Sequence, residues 1–458
     1  MKSIFWFRSW LFISCTTTIV NATIAPKSEQ ATSLQQSTVS WHLWLRNDSI
    51  FSSKEFTDQT LNDLFAYHPR AETLNLAGND VTQRPLASIL NIAPMAAIHW
   101  SRVPVGRYFF DLYLDCGLFP YGMYLSQDTF LENLSNEFEL LINFAYVDIY
   151  NERHKVRIGQ YLNPLVPVNT LPHIVSMNMG ALIAPTALNP EVRYEFTDCG
   201  TTIAATAFLQ YLYQNDGPLG FSTTYMRNSQ LPGFAVGIAK QVNPTTELGV
   251  IAETKRLIPL QAIENPLNFS LVSVSNAIQT YILSLWLTIS QEKFTLKTQV
   301  LGGQNGNDLM NLGGYSINSY AFQTGKVTYA PIWYYSFWAD LETTALINCL
   351  FQPGIFVGIT KNLGARHPVA LVPLNGGTID DPVVVYYGFK DNFGTALPIT
   401  GLFRCAPRCW FMVNDQVNIG VEVEYTTTMF GNLQQNGSFT DNNRTSLLRF
   451  VVSTQFYL

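Results

Sequence analysis

Apolar and polar residues alternate with a period of two along much of the chain. In LLRFVVSTQFYL, residues 447–458, one side of an extended backbone carries Leu448, Phe450, Val452, Thr454, Phe456 and Leu458, and the other carries Leu447, Arg449, Val451, Ser453, Gln455 and Tyr457. Successive side chains of a strand point to opposite faces, so this segment has one apolar face and one mixed, polar face. In KVRIGQY (155–161), Val156 and Ile158 oppose Lys155, Arg157 and Gly159; in EVRYEF (191–196), Val192, Tyr194 and Phe196 oppose Glu191, Arg193 and Glu195. FTLKTQV (294–300) sets Phe294, Leu296, Thr298 and Val300 against Thr295, Lys297 and Gln299. VNIGVEVEY (417–425) sets Val417, Ile419, Val421, Val423 and Tyr425 against Asn418, Gly420, Glu422 and Glu424. FAVGIAKQ from Phe234 and TELGVIAET from Thr246 alternate likewise, with turn residues between such runs, which predicts strands throughout the chain after Trp100. Before Trp100 the pattern is irregular, with a short helix expected over SKEFTDQTLNDLFAY (53–67), capped by Ser53.

The polar faces mix charges with Gly, Ser, Thr and Asn, which suits the interior of a barrel better than the densely charged outer face of a soluble sandwich. No run of about eighteen apolar residues occurs outside the N-terminus, so no membrane-spanning helix is expected. Tyr281–Ile289 is the strongest candidate, but it is about half the required length and it alternates. A membrane location therefore requires a closed barrel, because lipid cannot satisfy an open sheet edge. The expected fold is all-β: a transmembrane antiparallel β-barrel over 101–458 which, at roughly 10 residues per tilted strand, has about 16 strands and a water-filled middle. A short irregular N-terminal periplasmic arm is expected over 23–100. Aromatic clusters at Tyr108–Phe110 and Trp333–Trp338 suit interfacial girdles.

Three connections stand out. The Gly/Asn-rich stretches Gly302–Gly314 and Gly431–Thr445 read as exposed loops. Residues 162–190, LNPLVPVNTLPHIVSMNMGALIAPTALNP, carry Pro164, Pro167, Pro172, Pro185 and Pro190, which oppose ladder pairing, yet the stretch is too apolar for open solvent. It is expected to fold into the lumen or to press against a neighbouring subunit.

Composition narrows the picture further. Charged residues are 13%, about half the usual quarter, and the net charge of −6 is spread without blocks, so nucleic acid is not an expected partner. The N-terminus pairs Lys2 with an apolar stretch and then the small residues Val20-Asn21-Ala22, which predicts an export signal over 1–22. Once Cys15 leaves with the signal, Cys116, Cys199, Cys349, Cys405 and Cys409 form no disulfide framework. A Cys405–Cys409 bridge would need a turn, because an extended CAPRC separates its ends by roughly 13 Å.

The stretch AYVDIYNERHKVRIGQYLNPL at 145–165, with LPHIVSMNMGALIAP at 171–185 and NPEVRYEF at 189–196, resembles the corresponding region of DcaP-like bacterial outer-membrane porins. LKTQVLGGQNGNDLMNLGG, FWADLETTALINCLFQPGIFVGITKNLGA and the closing NNRTSLLRFVVSTQFYL resemble the strand and loop texture of the same group. The resemblance spans roughly 100–458. It implies a 16-stranded, homotrimeric barrel in the bacterial outer membrane, in contact with its lipid and admitting small hydrophilic solutes. Members of the group commonly end on an aromatic residue, whereas here Phe456 and Tyr457 precede Leu458. Many also carry an N-terminal coiled coil, and no heptads occur here.

No HExxH, G-x-S-x-G, P-loop, Rossmann glycine pattern or paired CxxC is present, so neither an enzyme nor a cofactor or metal is expected. His42, His68, His99, His154, His173 and His367 are dispersed, and their spacing nominates no ligand set. The candidate pore-lining residues are the charges at lumen parity: Lys155, Arg157, Arg193, Glu195, Lys297, Glu422, Glu424 and Arg449. Opposed bases and acids on a barrel wall set up a transverse field, although each alone could merely pair or hydrate. Alternatives are an outer-membrane β-barrel enzyme of lipase type, whose nucleophile would be assembled from scattered Ser and His, and a secreted all-β adhesion or binding protein.

Overall fold

The computed structural model describes residues 37–54, 69, 71–72, 80, 85–120, 138–176, 180–210, 215–218, 220, 222–260, 262–264, 271–274, 276–321, 326–343, 350–372, 383–390, 397–441 and 443–457. Sixteen antiparallel strands form one closed ring. In chain order they are β1 Thr38–Ser52, β2 Leu86–Val105, β3 Tyr108–Pro120, β4 Phe138–Tyr150, β5 His154–Leu162, β6 Leu188–Asp198, β7 Thr201–Phe208 and β8 Gly233–Asn243. The second half comprises β9 Thr246–Leu257, β10 Ile278–Ser290, β11 Phe294–Gln304, β12 Lys326–Thr343, β13 Phe351–Ala365, β14 Ile399–Asn414, β15 Val417–Phe430 and β16 Asn443–Tyr457. Each strand pairs with the next, and β16 returns to β1 with Tyr457 opposite Trp44 and Arg449 opposite Ser52. Closure leaves the spanning backbone hydrogen-bonded within the sheet, as a hydrocarbon surround demands.

The two faces divide as the alternation predicts. Val192, Tyr194, Leu448, Phe450 and Phe456 are exposed on the outer face, while Glu191, Arg449, Val451, Ser453 and Gln455 are buried on the inner one. Within Trp333–Trp338, Tyr335 and Phe337 face outward, whereas Tyr334, Ser336 and Trp338 are buried inside. Connections alternate around the ring. Short turns at 106–107, 151–153, 199–200, 244–245, 291–293 and 415–416 mark one rim, and long connections such as 163–187, 305–325 and 366–398 mark the other.

Two expectations need correction. The barrel does not begin at residue 101: Thr38–Ser52 is its first strand and pairs with both β2 and β16. Its alternation is hard to see because Trp44 and Ile50 are buried on the inner face beside Asp48, while Asn47 and Ser49 take outward parity, and a bulge between Trp44 and Arg46 shifts the register against β2. The helix expected over 53–67 falls almost wholly outside the described residues; Ser53 itself accepts a hydrogen bond from the Leu448 amide at 2.9 Å.

The second correction concerns Gly302–Gly314. It is not an exposed loop: β11 runs to Gln304, and Asn305, Asn307, Asp308, Leu309, Asn311 and Leu312 are buried. Asn305 Nδ2 donates to Asn215 Oδ1 at 2.7 Å, Gln210 Nε2 donates to Asp308 Oδ2 at 2.7 Å, and Lys255 pairs with Asp308. A polar stretch can be buried when partners inside the ring take its hydrogen bonds. By contrast, Gly431–Thr445 keeps an exposed tip from Gln434 to Asn436 before β16 begins at Asn443.

The apolar core lies inside the ring. Leu165, Leu171, Ile183, Phe208, Trp338 and Phe430 belong to one buried cluster formed by the strands and the long connections folded among them.

Candidate functional site

Segment 163–187 leaves β5 and crosses the ring interior. Of the five prolines expected to oppose ladder pairing there, Pro190 lies in β6, opposite Gln160. The other four remove backbone donors, and much of the remaining backbone binds wall side chains rather than a neighbouring strand. Leu165 O accepts from Gln299 Nε2 at 2.8 Å and Leu171 O from Lys297 Nζ at 3.0 Å, both on β11. The His173 amide donates to Asp340 Oδ2 and its ring Nδ1 meets Glu342 Oε2, both at 2.7 Å, on β12. The amides of Val175 and Ser176 donate to the two oxygens of Glu422 on β15 at 2.8 and 3.2 Å. Arg449 Nη2 on β16 donates to Ser176 Oγ at 2.7 Å, Arg46 on β1 donates to Val175 O, and Arg404 Nη1 on β14 donates to Ala181 O at 3.1 Å. A segment that touches β1 and β11–β16 from one side can only lie within the ring.

The wall is shaped to receive it. A methyl group on Gly420 of β15 would meet both Val175 γ-carbons at 2.8 Å, and one on Gly358 of β13 would meet Ile183 Cγ2 at 2.7 Å. Behind the segment, the charges saturate one another. Glu424 accepts from Arg449 Nη2 at 2.6 Å and lies 3.3 Å from Arg404 Nε, and Arg408 meets Asp340 at 2.6 Å and Glu342 at 3.4 Å. The side chains of Arg404, Glu424 and Arg449 are 0% exposed.

The opposite stretch of wall, β3–β6, is built differently. Arg157 Nε and Nη2 donate to the two oxygens of Asp148, each at 2.7 Å, and its guanidinium lies 4.2 Å from the Tyr146 ring centre and 3.7 Å from that of Tyr161. Tyr113 stacks on Tyr146 with centroids 5.4 Å apart, and His99 meets the edge of Tyr113 at 5.7 Å. Gly159, paired with Tyr146 across the strands, makes the row feasible: a Cβ there would meet Tyr146 Cα at 2.6 Å. Arg193 Nη2 donates to Glu191 Oε2 at 2.9 Å and to Leu162 O at 3.0 Å, and Lys155 Nζ meets Glu195 at 2.5 Å. Solvent reaches this side: the side chains of Lys155, Asp111, Glu195 and Arg193 are 31, 20, 18 and 14% exposed.

All eight charges singled out in the sequence have inward parity, in two groups. Lys155, Arg157, Arg193 and Glu195 are together on β5 and β6; Lys297, Glu422, Glu424 and Arg449 hold or underlie segment 163–187. Sequence reasoning missed Arg404 and Arg408. Both share the inner parity of β14, but the outward Cys405, Pro407 and Cys409 of CAPRC gave no recognisable apolar face. It also missed Asp340 and Glu342 on β12 and the Arg46–Asp48 pair on β1. Cys405 and Cys409 are free, on one extended strand. Among the described residues, no group of His, Cys, Asp or Glu is placed to hold a metal ion.

No protein-family model matches the chain, and no curated protein sequence matches it. Solved structures do. The outer membrane channel DcaP of Acinetobacter baumannii superposes with a TM-score of 0.57 at 10% identity, over 93% of this chain and 99% of that one. An anion-selective porin from Comamonas acidovorans superposes with a TM-score of 0.50 at 8% identity, over 92% of this chain and 100% of that one. These likenesses show the shared fold, a closed β-barrel.

Proposed function

We propose that the chain is a bacterial outer-membrane porin through which small hydrophilic solutes diffuse passively. One observation carries the reading: a single closed sheet turns an apolar face outward and ionisable side chains inward, with a segment folded across its interior. Oil outside suits the apolar face, and the part-exposed Lys155, Arg193, Glu195 and Asp111 call for water beside the inner β3–β6 wall. The solute path runs beside segment 163–187, along the solvent-reached β3–β6 wall. Lys155, Arg157, Arg193 and Glu195 line it, with Lys297, Glu422, Glu424 and Arg449 fixing the far side. Fold alone assigns no function, so the likeness to an outer membrane channel and a porin adds support only at the level of architecture.

The short-turn rim faces the periplasm, residues 1–22 direct export, and the barrel assembles as a homotrimer with outer-membrane lipid around it. Reconstitution into planar bilayers tests the central reading. Discrete, ohmic conductance steps are expected, and a heat-modifiable, folded barrel that never conducts would refute it. Light scattering of the detergent-solubilised protein tests the trimer.

A further inference from the structure

The ionic bookkeeping of the inner wall is one-sided. Nearly every cation there has a carboxylate within ion-pair distance: Arg46 with Asp48, Lys155 with Glu195, Arg157 with Asp148, Arg193 with Glu191, Lys255 with Asp308, Arg404 and Arg449 with Glu424, and Arg408 with Asp340. Among the described residues Lys297 is the exception, held by Leu171 O. The reverse does not hold. Among the described residues, Asp111, Asp115, Glu253 and Glu422 have no Lys or Arg within ion-pair distance; the His99 ring is 3.8 Å from Asp111.

Unpartnered oxygens point the same way. Asn143, fully buried, donates its Nδ2 to Asp115 Oδ1 at 3.2 Å, and its own Oδ1 has no donor. Both carboxylate oxygens of Glu253 and Oε1 of Glu191 also lack one. Orphan nitrogens occur too, among them Nε of Arg193 and Nε of Arg408, on cations already paired with carboxylates, and the uncharged Nδ2 of Asn163, Asn215 and Asn307. Paired charges act at a distance as dipoles and are felt only nearby, whereas an unpaired carboxylate projects a net field into the water beside it.

Position decides which of these a passing ion meets. Glu422 is covered by segment 163–187 and spent on its amides, and Glu253 is 3% exposed behind the Lys255–Asp308 pair. Asp115 is likewise 3% exposed, beside the fully buried Asn143, whereas Asp111 faces inward from β3 on the solvent-reached side with its side chain 20% exposed. Tyr150 Oη and the Arg102 amide donate to Asp111 Oδ1 at 3.1 and 2.7 Å and fix where that carboxylate points.

We infer that the water-filled path prefers cations to anions, and that Asp111 on β3 sets the preference. This rests on the channel reading, and it gives this barrel the opposite sign to the anion-selective porin whose fold it shares.

The test is the reversal potential of the purified protein in planar bilayers under a KCl gradient. The intact protein should pass K+ over Cl− by about threefold, and Asp111→Asn should bring the ratio close to unity. Asp111→Ser, a second neutral substitution at the same part-exposed position, should give the same shift, so the inference stays exposed if Asp111→Asn fails to fold. Asp441→Asn removes a carboxylate paired with Lys361 away from the inner wall and should leave the ratio unchanged. A folded protein with no conductance overturns the channel reading and this inference together. Conductance with Cl− preferred, or a K+ preference that both Asp111 variants leave untouched, overturns the inference and spares the channel.

Discussion

Arg157 on β5 and Arg449 on β16 face the same interior and meet their carboxylates at nearly the same distance, 2.7 and 2.6 Å. Their surroundings differ. Arg449 belongs to a wall covered by segment 163–187, where it shares Glu424 with Arg404 and reaches Ser176 in a site with no exposure. Arg157 lies between two tyrosine rings on a wall that solvent reaches through Lys155, Glu195 and Asp111. One residue type thus serves two purposes: on β14–β16 it nails a connection to the sheet, and on β5 the buried Arg157 braces tyrosine rings within a wall whose Lys155, Arg193 and Glu195 solvent reaches. A buried pair is costly to break, because its surviving partner stays desolvated, whereas a part-exposed pair can be rehydrated.

Substitutions can break this contrast at both ends. The largest effect is expected at Arg449→Met, which takes one of two cations from Glu424 and a donor from Ser176; the loss should be about 3–5 kcal/mol, read by urea unfolding in detergent with tryptophan fluorescence. A loss no greater than that of Lys155→Gln, which breaks a part-exposed pair, would erase the distinction between the walls. Gly420→Val fills the seat of Val175 and should cost about 1–3 kcal/mol. Its sharper readout is single-channel conductance, which should change as the segment is pushed off β15; unaltered steps would mean that segment 163–187 does not bound the path. Tyr161→Ala removes a ring from the face of Arg157 and should cost about 1–2 kcal/mol, with a measurable change in current noise for organic solutes. Smallest in stability is Lys155→Gln, under about 1 kcal/mol because its pair with Glu195 is part-exposed. It should nevertheless raise the K+ preference by freeing Glu195, and a fall instead would place Lys155 outside the path.

How much of this was legible in the sequence follows from which rule each element obeys. β5, β6, β11, β15 and β16 alternate cleanly because lipid tolerates only apolar outward residues there, and parity alone placed their charges inside. β1 and β14 break the pattern, with Asn47 and Ser49 outward on one and Cys405, Pro407 and Cys409 outward on the other, so Arg46, Arg404 and Arg408 were missed. Gly302–Gly314 misled for another reason: Asn305, Asn307 and Asn311 look solvated in a one-dimensional reading, yet they are buried among chain as far as 90 and 128 residues away in sequence. Partners at such separations, such as Asn215 and Ile183, follow from topology and register rather than local composition.

The seam between the first and last strands ties the barrel's birth to its final residues. Ser53 accepts its hydrogen bond from Leu448, 395 positions along the chain, and β1 and β16 supply each other's edge. Loop closure over that span brings little reward until nearly everything between is in place. A message truncated before codon 443 would therefore yield no smaller pore, only an unclosed sheet with sticky edges. Fifteen strands' worth of polypeptide must be kept from aggregating until the sixteenth pairs, which places the burden on the unclosed chain rather than on the finished fold.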